Sequence, residues 1–324
     1  MAKGYRVKAF GGPEVMVWED LHLGALPPGA VRVRVGASGI NFAETRMRAG
    51  DYSGQELPFV MGMEVAGIVE EVGAQVAEFK PGDRVFGRVR GAHAEVVDCD
   101  PEHLMRLPDN LSLAQGAAIP VGFLTAWHAL YTVGNMTAGE RILVEAVGGS
   151  VGSAALALAK QAGCWTLGTA SREDKLDRAT AMGCDAVVNY TRESVSERAR
   201  ALTDGAGMDI GLMTIGDATA TELIDAMGMD GRVVMFGSTG GRDISFNLRI
   251  GILNIQLLSM SISTSPAFMA RTMPAFRARA LPMFASGELV PVVDTIMPMK
   301  ELVRAHAMVD ERSHFGKVIL VNEL

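Results

Sequence analysis

The sequence has few cysteines, no long apolar run and no excess of positive charge, and each absence excludes a class of protein. Its 324 residues include 3 cysteines, Cys99, Cys164 and Cys184, which stand far apart. Isolated cysteines argue against a disulfide framework and favour a reducing compartment, here the cytoplasm. We expect neither a membrane span nor a signal peptide, because no window approaches about 18 uncharged apolar residues and the N-terminus lacks an apolar core. A net charge of −7 leaves no basic face for nucleic acid.

Apolar residues make up 48% of the chain, enough for the cores of about two domains. Up to about residue 120, short β-rich runs alternate with Gly and Pro turns, which predicts a compact β-barrel-like domain. The runs are 31–35, 65–72, 84–86 and 94–97.

A glycine-rich turn follows the apolar run 141–147, and small and apolar residues at helical spacing continue over 151–163. The spacing is Ala146-x-x-Gly149-x-x-Gly152. Strand, glycine turn and helix together are typical of a dinucleotide site, where backbone N–H groups at the start of the helix bind a pyrophosphate. An ordinary tight turn between strand and helix would use the same glycines.

The next residues predict a βαβαβ unit, half of a doubly wound parallel sheet. The second strand is 165–170 and the third is 186–189. Between them, Ser171 to Asp174 has the spacing of a capping box that opens a helix to about Met182.

The end of the second strand indicates the cofactor. An NAD site has Asp or Glu there for the ribose hydroxyls, whereas this chain has Ser171, Arg172 and, one turn later, Lys175. A hydroxyl and two cations suit a 2′-phosphate, so we predict NADPH. The alternative is a solvated helix start whose cations balance Glu173 and Asp174.

The chain as a whole resembles the zinc-free quinone oxidoreductases of the medium-chain dehydrogenase/reductase superfamily, the zeta-crystallin-like group. The resemblance implies an α/β protein with a GroES-like β-barrel catalytic domain, 1–122 and 264–324, and a Rossmann domain with a doubly wound parallel sheet, 123–263. It rests on the glycine turn and on Gly39-Ile-Asn41-Phe, Arg48-Ala-Gly50-Asp-Tyr52, Met61-Gly-Met-Glu64-Val-Ala-Gly67, Pro81-Gly-Asp-Arg-Val85, Gly231-Arg-Val-Val-Met-Phe-Gly237 and Gly316-Lys-Val318.

Zinc ligands are missing where the resemblance would place them. Zinc alcohol dehydrogenases have Cys-x-x-Asp and Gly-His-Glu at the positions of Asn41 and 62–64, and only Cys99 falls near their four-cysteine lobe. The six histidines show no metal-like spacing and are interpreted as surface or packing residues. We therefore expect no bound metal.

Without zinc, hydrogen-bond donors must stabilise the charge that develops on the substrate. The resemblance implies Asn41, Tyr52 and Thr125 as catalytic residues, with Asn41 and Tyr52 also binding substrate and Thr125 also near the nicotinamide. A turn-stabilising amide at Asn41 and a packing tyrosine at Tyr52 are the structural alternatives. Relatives have a tyrosine where this chain has Arg46. We interpret Arg46 as a substrate-binding residue that favours carbonyl-activated alkenes, including acidic ones. The alternative is that its side chain points into solvent.

The resemblance also implies the cofactor-binding residues. They are Gly149, Ser150, Val151 and Gly152 for the pyrophosphate, Ser171, Lys175 and Tyr190 for the 2′-phosphate, and Gly237, Ser238, Phe315 and Lys317 beside the nicotinamide ribose. Arg172 is added from charge and position alone.

These features favour an NADPH-dependent quinone reductase. Reduction of an α,β-unsaturated carbonyl is the second candidate, and an NADPH-binding structural protein without activity is the third. Residues 257–263 predict a last strand of the Rossmann sheet, which in such proteins pairs with its twin, so we expect a homodimer. Helices are predicted over 267–287, with interruptions at Pro274 and Pro282, and over 299–309.

Overall fold

The computed structural model describes residues 2–52, 55–241, 243–246 and 248–323, the side chain of Ala218 excepted. The strands in chain order are β1 (Ala2–Val7), β2 (Met16–Leu21), β3 (Val31–Gly39), β4 (Phe59–Val60), β5 (Glu64–Val72), β6 (Arg84–Arg88), β7 (Val96–Cys99), β8 (Leu104–Arg106), β9 (Arg141–Val144), β10 (Trp165–Ala170), β11 (Ala186–Asn189), β12 (Met208–Met213), β13 (Met227–Met235), β14 (Gln256–Ser259), β15 (Val293–Pro298) and β16 (Lys317–Val321).

The α-helices are α1 (Phe42–Ala49), α2 (Leu113–Ala117), α3 (Pro120–Trp127), α4 (Ser150–Gln161), α5 (Glu173–Ala181), α6 (Val195–Leu202), α7 (Asp217–Ala226), α8 (Arg249–Ile252), α9 (Met273–Ala275), α10 (Leu281–Ser286) and α11 (Leu302–Asp310). Three π-helical turns, His128–Val133, Phe268–Thr272 and Phe276–Ala280, and three 3-10 turns, Pro13–Val15, Pro101–His103 and Met299–Glu301, complete the described elements. Within the described residues, no helix has both the length and the apolar character needed to cross a membrane.

The chain divides into two compact units, of which the first contains residues 1–121 and 291–324. Its larger sheet has the order β15-β16-β3-β5-β6-β8, with β7 also paired to β3, and a smaller sheet has the order β2-β1-β4. The alternation in β3 explains its two faces: Val31, Val33 and Val35 are fully buried, while Arg34 is exposed. This unit is the predicted GroES-like domain.

The second unit contains residues 122–290 and a six-stranded parallel sheet of order β11-β10-β9-β12-β13-β14. Its strands are apolar on both faces, as a parallel sheet covered by helices requires: Leu143, Leu167 and Val233 are fully buried. The strand order reverses beside β9, as in a Rossmann fold. The predicted fold class is therefore confirmed.

The structure differs from the expected domain bounds in residues 264–290, which belong to the second unit. Their aromatic side chains pack on the helical segment after residue 120: the rings of Phe284 and Phe123 lie 4.9 Å apart, and those of Phe276 and Trp127 lie 5.6 Å apart. Apolar burial thus ties this segment to the second unit. The strand predicted over 257–263 ends at Ser259.

The capping box predicted at Ser171 is wrong. Helix α5 begins at Glu173, so its N-cap is Arg172, and no side chain provides the cap hydrogen bond. The Arg172 guanidinium instead contacts Asp174 at 2.9 Å, which uses the acidic residue that the box would require.

Candidate active site

The glycine turn leads into a helix whose first N–H groups can bind an anion. Strand β9 ends at Val144, Gly149 is the N-cap of α4, and the helix starts at Ser150. The first N–H groups of a helix have no acceptor within it. In the 12-residue α4 these groups belong to Ser150, Val151 and Gly152, at the positive end of the helix dipole.

Close packing explains the last glycine of the turn. A Cβ on Gly152 would lie 2.8 Å from Val147 Cα and closer still to the Ala146 carbonyl oxygen, so a side chain has no room there. Ala146 itself has a φ of 49°, a left-handed conformation that is uncommon for alanine. The turn therefore holds a specific, partly strained shape.

The predicted 2′-phosphate residues lie at one edge of the sheet. Ala170 and Asn189 are register partners in β10 and β11, so Ser171 and Tyr190 leave the sheet side by side, with the Tyr190 N–H donating to the Ala170 carbonyl at 3.3 Å. Lys175 follows in the first turn of α5. Arg172 is half-exposed and paired with Asp174, which raises its pKa chiefly through that hydrogen bond.

Helix α3 lies against the glycine turn. A Cβ on Gly122 would be 2.7 Å from the Ser150 hydroxyl oxygen, and Thr125, 7% exposed, follows three residues later on α3. Gly237 and Ser238 follow β13, and a Cβ on Gly237 would lie within 3.0 Å of Thr214 atoms. In the second unit, α3 thus lies at the glycine turn before α4, and the turn 237–238 lies against Thr214 at the end of β12.

Asn41, in the first unit, is held on all sides by charged side chains. Its Nδ2 donates to Glu44 Oε1 at 3.0 Å and to Glu64 Oε1 at 2.8 Å, while its Oδ1 accepts from Lys317 Nζ at 2.7 Å. Both amide hydrogens are therefore directed at carboxylates. In this arrangement Asn41 has no hydrogen left for a substrate oxygen.

Lys317 is a buried cation. Its side chain is 1% exposed, and its Nζ donates to Glu64 Oε1 at 2.6 Å as well as to Asn41. The second oxygen of Glu64 accepts the Val121 N–H at 2.7 Å. A buried charge is tolerated only when it is paired and hydrogen-bonded. The hydrogen bonds among Lys317, Glu64 and Asn41 therefore depend on one another. Phe315, also predicted at the cofactor, is buried, and its N–H donates to Asp294 at 3.2 Å.

The network continues into His93. Ser38 donates its single hydroxyl hydrogen to the Glu64 carbonyl at 2.7 Å, so its oxygen accepts from His93 Nδ1 at 2.9 Å. His93 Nε2 lies 2.6 Å from Glu44 Oε2, and a proton must be shared between them. Burial works to raise the pKa of Glu44, but His93, His306 and Asn41 together outweigh it, and the pKa is lowered.

A second buried ring, that of His306, completes this cluster. Ligand-type atoms of Glu44, His93 and His306 lie within 4.8 Å of one another. Burial lowers the pKa of His306 to about 4, so this ring is neutral at pH 7. Sequence reasoning missed the cluster and interpreted its histidines as surface or packing residues. One signal was available: Asn41 and Glu44 have the spacing of a capping box, which the structure contains.

Arg46 and Tyr52 are exposed. The Arg46 guanidinium lies 4.8 Å from the centre of the Phe42 ring, and its Nη1 is 3.4 Å from Asp51 Oδ2. Tyr52 is 38% exposed, and among the described residues no hydrogen bond is assigned to its hydroxyl. Both side chains are accessible to a ligand, and their roles stay predictions.

Comparison with known proteins places this chain in a family. The Alcohol dehydrogenase GroES-like domain family matches residues 27–109, and the Zinc-binding dehydrogenase family matches residues 150–282. A quinone oxidoreductase of Pseudomonas aeruginosa is 36% identical over 252 residues, 77% of this chain and 78% of the relative. A 2-haloacrylate reductase of a Burkholderia species is 29% identical over 323 residues, 96% of either chain.

A solved structure agrees with these sequence matches. Escherichia coli quinone oxidoreductase complexed with NADPH is similar over 99% of this chain and 100% of its own, with a TM-score of 0.87 and 28% identity. NAD(P)-type cofactor binding is thus found in the family. The chain is an oxidoreductase and belongs to the quinone oxidoreductase family of the medium-chain dehydrogenase/reductase superfamily.

Proposed function

We propose that this protein is a zinc-independent, NADPH-dependent reductase that transfers hydride to a quinone. The observation that carries the proposal is the second unit's glycine turn at the start of α4, with Ser171 and Tyr190 side by side at the adjacent edge of the sheet. The residues fit the cofactor, because Gly152 lets the turn pack closely on Ala146 and Val147 and the first N–H groups of α4 have no acceptor within the helix. The Escherichia coli relative, complexed with NADPH, supports the same cofactor.

When bound, NADPH supplies the hydride from its nicotinamide ring. The N–H groups of 150–152 would bind the pyrophosphate, and Ser171, Lys175 and Tyr190 would bind the 2′-phosphate. Arg172 contributes less in our proposal, because a phosphate must compete with Asp174 for its guanidinium. In the second unit, Thr125, Gly237 and Ser238 are proposed beside the nicotinamide ribose.

Discrimination between the two cofactors tests the 2′-phosphate site. Lys175→Ala should reduce kcat/KM for NADPH by about tenfold, the effect of one charge-assisted contact, and leave NADH almost unchanged. Arg172→Ala serves as the matched control, with less than about a threefold effect, because Asp174 competes with the phosphate for the Arg172 guanidinium. Equal activity of the wild-type protein with NADH and NADPH would refute NADPH preference.

On the acceptor side, Tyr52 is the proposed donor. Asn41 and Met63 stand where zinc alcohol dehydrogenases have Cys and His, and the Asn41 amide is held by Glu44, Glu64 and Lys317. Asn41 can contact a substrate only if one amide hydrogen leaves its carboxylate. Tyr52 is free of that constraint, so its phenol would donate to the oxygen that gains charge, and water or Tyr52 would supply the proton that completes the hydroquinone.

An activated alkene is the second candidate acceptor. It is favoured by Arg46, which replaces the usual tyrosine and is exposed, and by the related 2-haloacrylate reductase. NADPH oxidation should be measured with a benzoquinone, a 2-alkenal, a 2-haloacrylate and an enoyl thioester. Quinone turnover supports the main proposal, turnover of an alkene alone supports the second, and tight NADPH binding without any turnover supports a structural role. Arg46→Tyr should shift relative efficiency toward quinones.

We further propose a homodimer formed through β14. This strand pairs with β13 alone among the described strands and is the last of its sheet, so its outer edge offers unpaired backbone groups. Light scattering should give twice the mass of one chain. A proline at Leu258, in the middle of β14, should reduce that mass if the edge forms the contact.

A further inference from the structure

Glu145 is a carboxylate at the end of an apolar strand. It follows β9 directly and is 3% exposed. Its Oε2 accepts the backbone N–H groups of Thr214 at 2.8 Å and Ile215 at 3.0 Å, and its Oε1 accepts the Thr219 hydroxyl at 2.6 Å. No described cation pairs with it, so these three hydrogen bonds alone offset the cost of burying the carboxylate.

The bonds of Glu145 reach the second glycine turn. Thr214 and Ile215 follow β12, and their carbonyl oxygens accept from the N–H groups of Thr239 at 3.3 Å and Gly240 at 2.7 Å. Thr239 adjoins Ser238, next to Gly237. One carboxylate therefore links the end of β9 to the loop after β12, and through that loop to the turn proposed beside the nicotinamide ribose.

On its other side Glu145 adjoins the pyrophosphate turn. Ala146 has a φ of 49°, and its carbonyl accepts the Gly149 N–H at 2.8 Å. The left-handed conformation is unfavourable for an alanine and persists only where surrounding contacts hold it. Glu145 supplies three such contacts one residue before the turn.

Glu145 stays hydrogen-bonded to the same three groups whether it is charged or neutral, with the donor in the bond to Thr219 reversed in the neutral form. Burial raises its pKa, against the effect of Thr219, Ile215 and Thr214. If Oε1 carries a proton, it donates to the Thr219 hydroxyl, whose hydrogen then turns to the Gly216 carbonyl at 3.3 Å. A glutamine, with its amide nitrogen toward Thr219, would reproduce this second arrangement.

We infer that Glu145 is a positioning residue that holds the turn 237–238 in register with the turn 149–152, so that both contact one NADPH molecule. The inference rests on the proposed NADPH site and adds to it a residue that does not itself touch the cofactor. It predicts that cofactor binding depends on the hydrogen bonds of Glu145 and not on its charge.

Four variants of the whole chain test this, with NADPH affinity measured by fluorescence titration and KM for each substrate by steady-state kinetics. Glu145→Ala should weaken NADPH binding and raise its KM by about tenfold or more, because two buried N–H groups lose their acceptor. The KM of the acceptor should change much less. Glu145→Gln should restore NADPH affinity to within about threefold of the wild-type value, less than one neutral hydrogen bond.

Asp209→Ala is the matched control. Asp209 also joins β12 to β9, accepting from the Arg141 N–H at 2.8 Å and from its guanidinium, but at the opposite end of the strands. It should lower stability and leave NADPH affinity unchanged. If Glu145→Ala does not fold, Thr219→Val, which removes one donor, should weaken NADPH binding severalfold.

Equal NADPH affinity in Glu145→Ala or Thr219→Val and the wild type overturns the inference, as does a glutamine variant as weak as the alanine variant. A loss of affinity in Asp209→Ala equal to that in Glu145→Ala also overturns it, since the effect would then be general instability. A wild-type protein that fails to bind NADPH refutes the proposed function itself, before any variant is compared.

Discussion

The motif that contains Lys317 is easy to recognise in the sequence, but the hydrogen-bond partners of its side chain could not be predicted from it. The motif Gly316-Lys-Val318 supported the family resemblance, but the partners Asn41 and Glu64 lie more than 250 residues away in the chain. Folding brings them to 2.7 and 2.6 Å from Nζ. Neither periodicity nor local spacing carries that information, because β16 pairs with β3 only in the finished sheet.

Removing this ammonium should be strongly destabilising. Lys317→Met leaves the Glu64 carboxylate buried without its cation, which we expect to lower the free energy of unfolding by about 3–5 kcal/mol. Lys317→Met combined with Glu64→Gln should lose less than Lys317→Met alone, because no unpaired charge remains. Urea denaturation of the two variants measures both values.

Lys160→Met is the control for that comparison. Lys160 Nζ contacts Asp185 at 2.8 Å, but both side chains are about a third exposed, so the pair should contribute about 1 kcal/mol or less. A loss in Lys317→Met no greater than in Lys160→Met would contradict the importance of burial.

His306 should make stability depend on pH. Burial lowers its pKa to about 4 from an ordinary value of 6.5, and the ring is fully buried. The unfolded chain therefore binds a proton that the native chain does not, so stability falls as pH decreases from about 6.5 to about 4. Between pH 7 and pH 5 the loss attributable to His306 should be about 2 kcal/mol.

The measurement compares denaturation at pH 7 and pH 5 in the wild type and in His306→Leu. The leucine variant should lose about 2 kcal/mol less between the two pH values, whereas His22→Leu, at an exposed position, should keep the wild-type dependence. An unchanged pH dependence in His306→Leu would show that the ring titrates normally or is protonated in the native state.

At the scale of single elements, regular patterns were predictable and element ends were not. The predicted strands 165–170 and 186–189 match β10 and β11 residue for residue, because short apolar runs between turn residues leave little choice. Helix α5 instead starts at Glu173. Two adjacent polar residues, Ser171 and Arg172, could both precede the helix, and the ion pair to Asp174 decided between them.

In the segment formed by β9, the glycine turn and α4, we expect two glycine substitutions to reduce stability by unequal amounts. Gly152→Ala should lower the free energy of unfolding by about 1–3 kcal/mol, because its Cβ would meet the rigid backbone of Ala146 and Val147. Gly149→Ala should cost less than about 1 kcal/mol: Gly149 has a φ of −80°, and its Cβ would approach no atom closer than 3.2 Å. Thermal denaturation of both variants without cofactor measures the difference, and equal costs would contradict the close packing at Gly152.

At the scale of the whole chain, the two-domain organisation and both sheet types could be predicted from composition and motif order. The residue at which the chain passes from the second unit back to the first could not. The expected bound was 264 and the second unit ends at Val290. Residues 268–286 are helical, and a helix with apolar residues can cover either domain equally well on sequence grounds. Contacts of Phe276 and Phe284 with α3 residues place this segment in the second unit. Such long-range packing cannot be predicted from the local sequence.

Cofactor binding should stabilise the whole chain by mass action. A ligand at a hundred times its Kd adds about 2.7 kcal/mol to the native state, which for a chain of this size corresponds to about 4 °C in Tm. If Ser171, Lys175 and Tyr190 bind a 2′-phosphate, NADPH should raise Tm by several degrees at a concentration at which NADH has almost no effect. Differential scanning fluorimetry with both nucleotides measures this, and Lys175→Ala should narrow the gap between them. Equal shifts with NADH and NADPH would mean that the cations at the start of α5 lie in solvent and do not bind the 2′-phosphate.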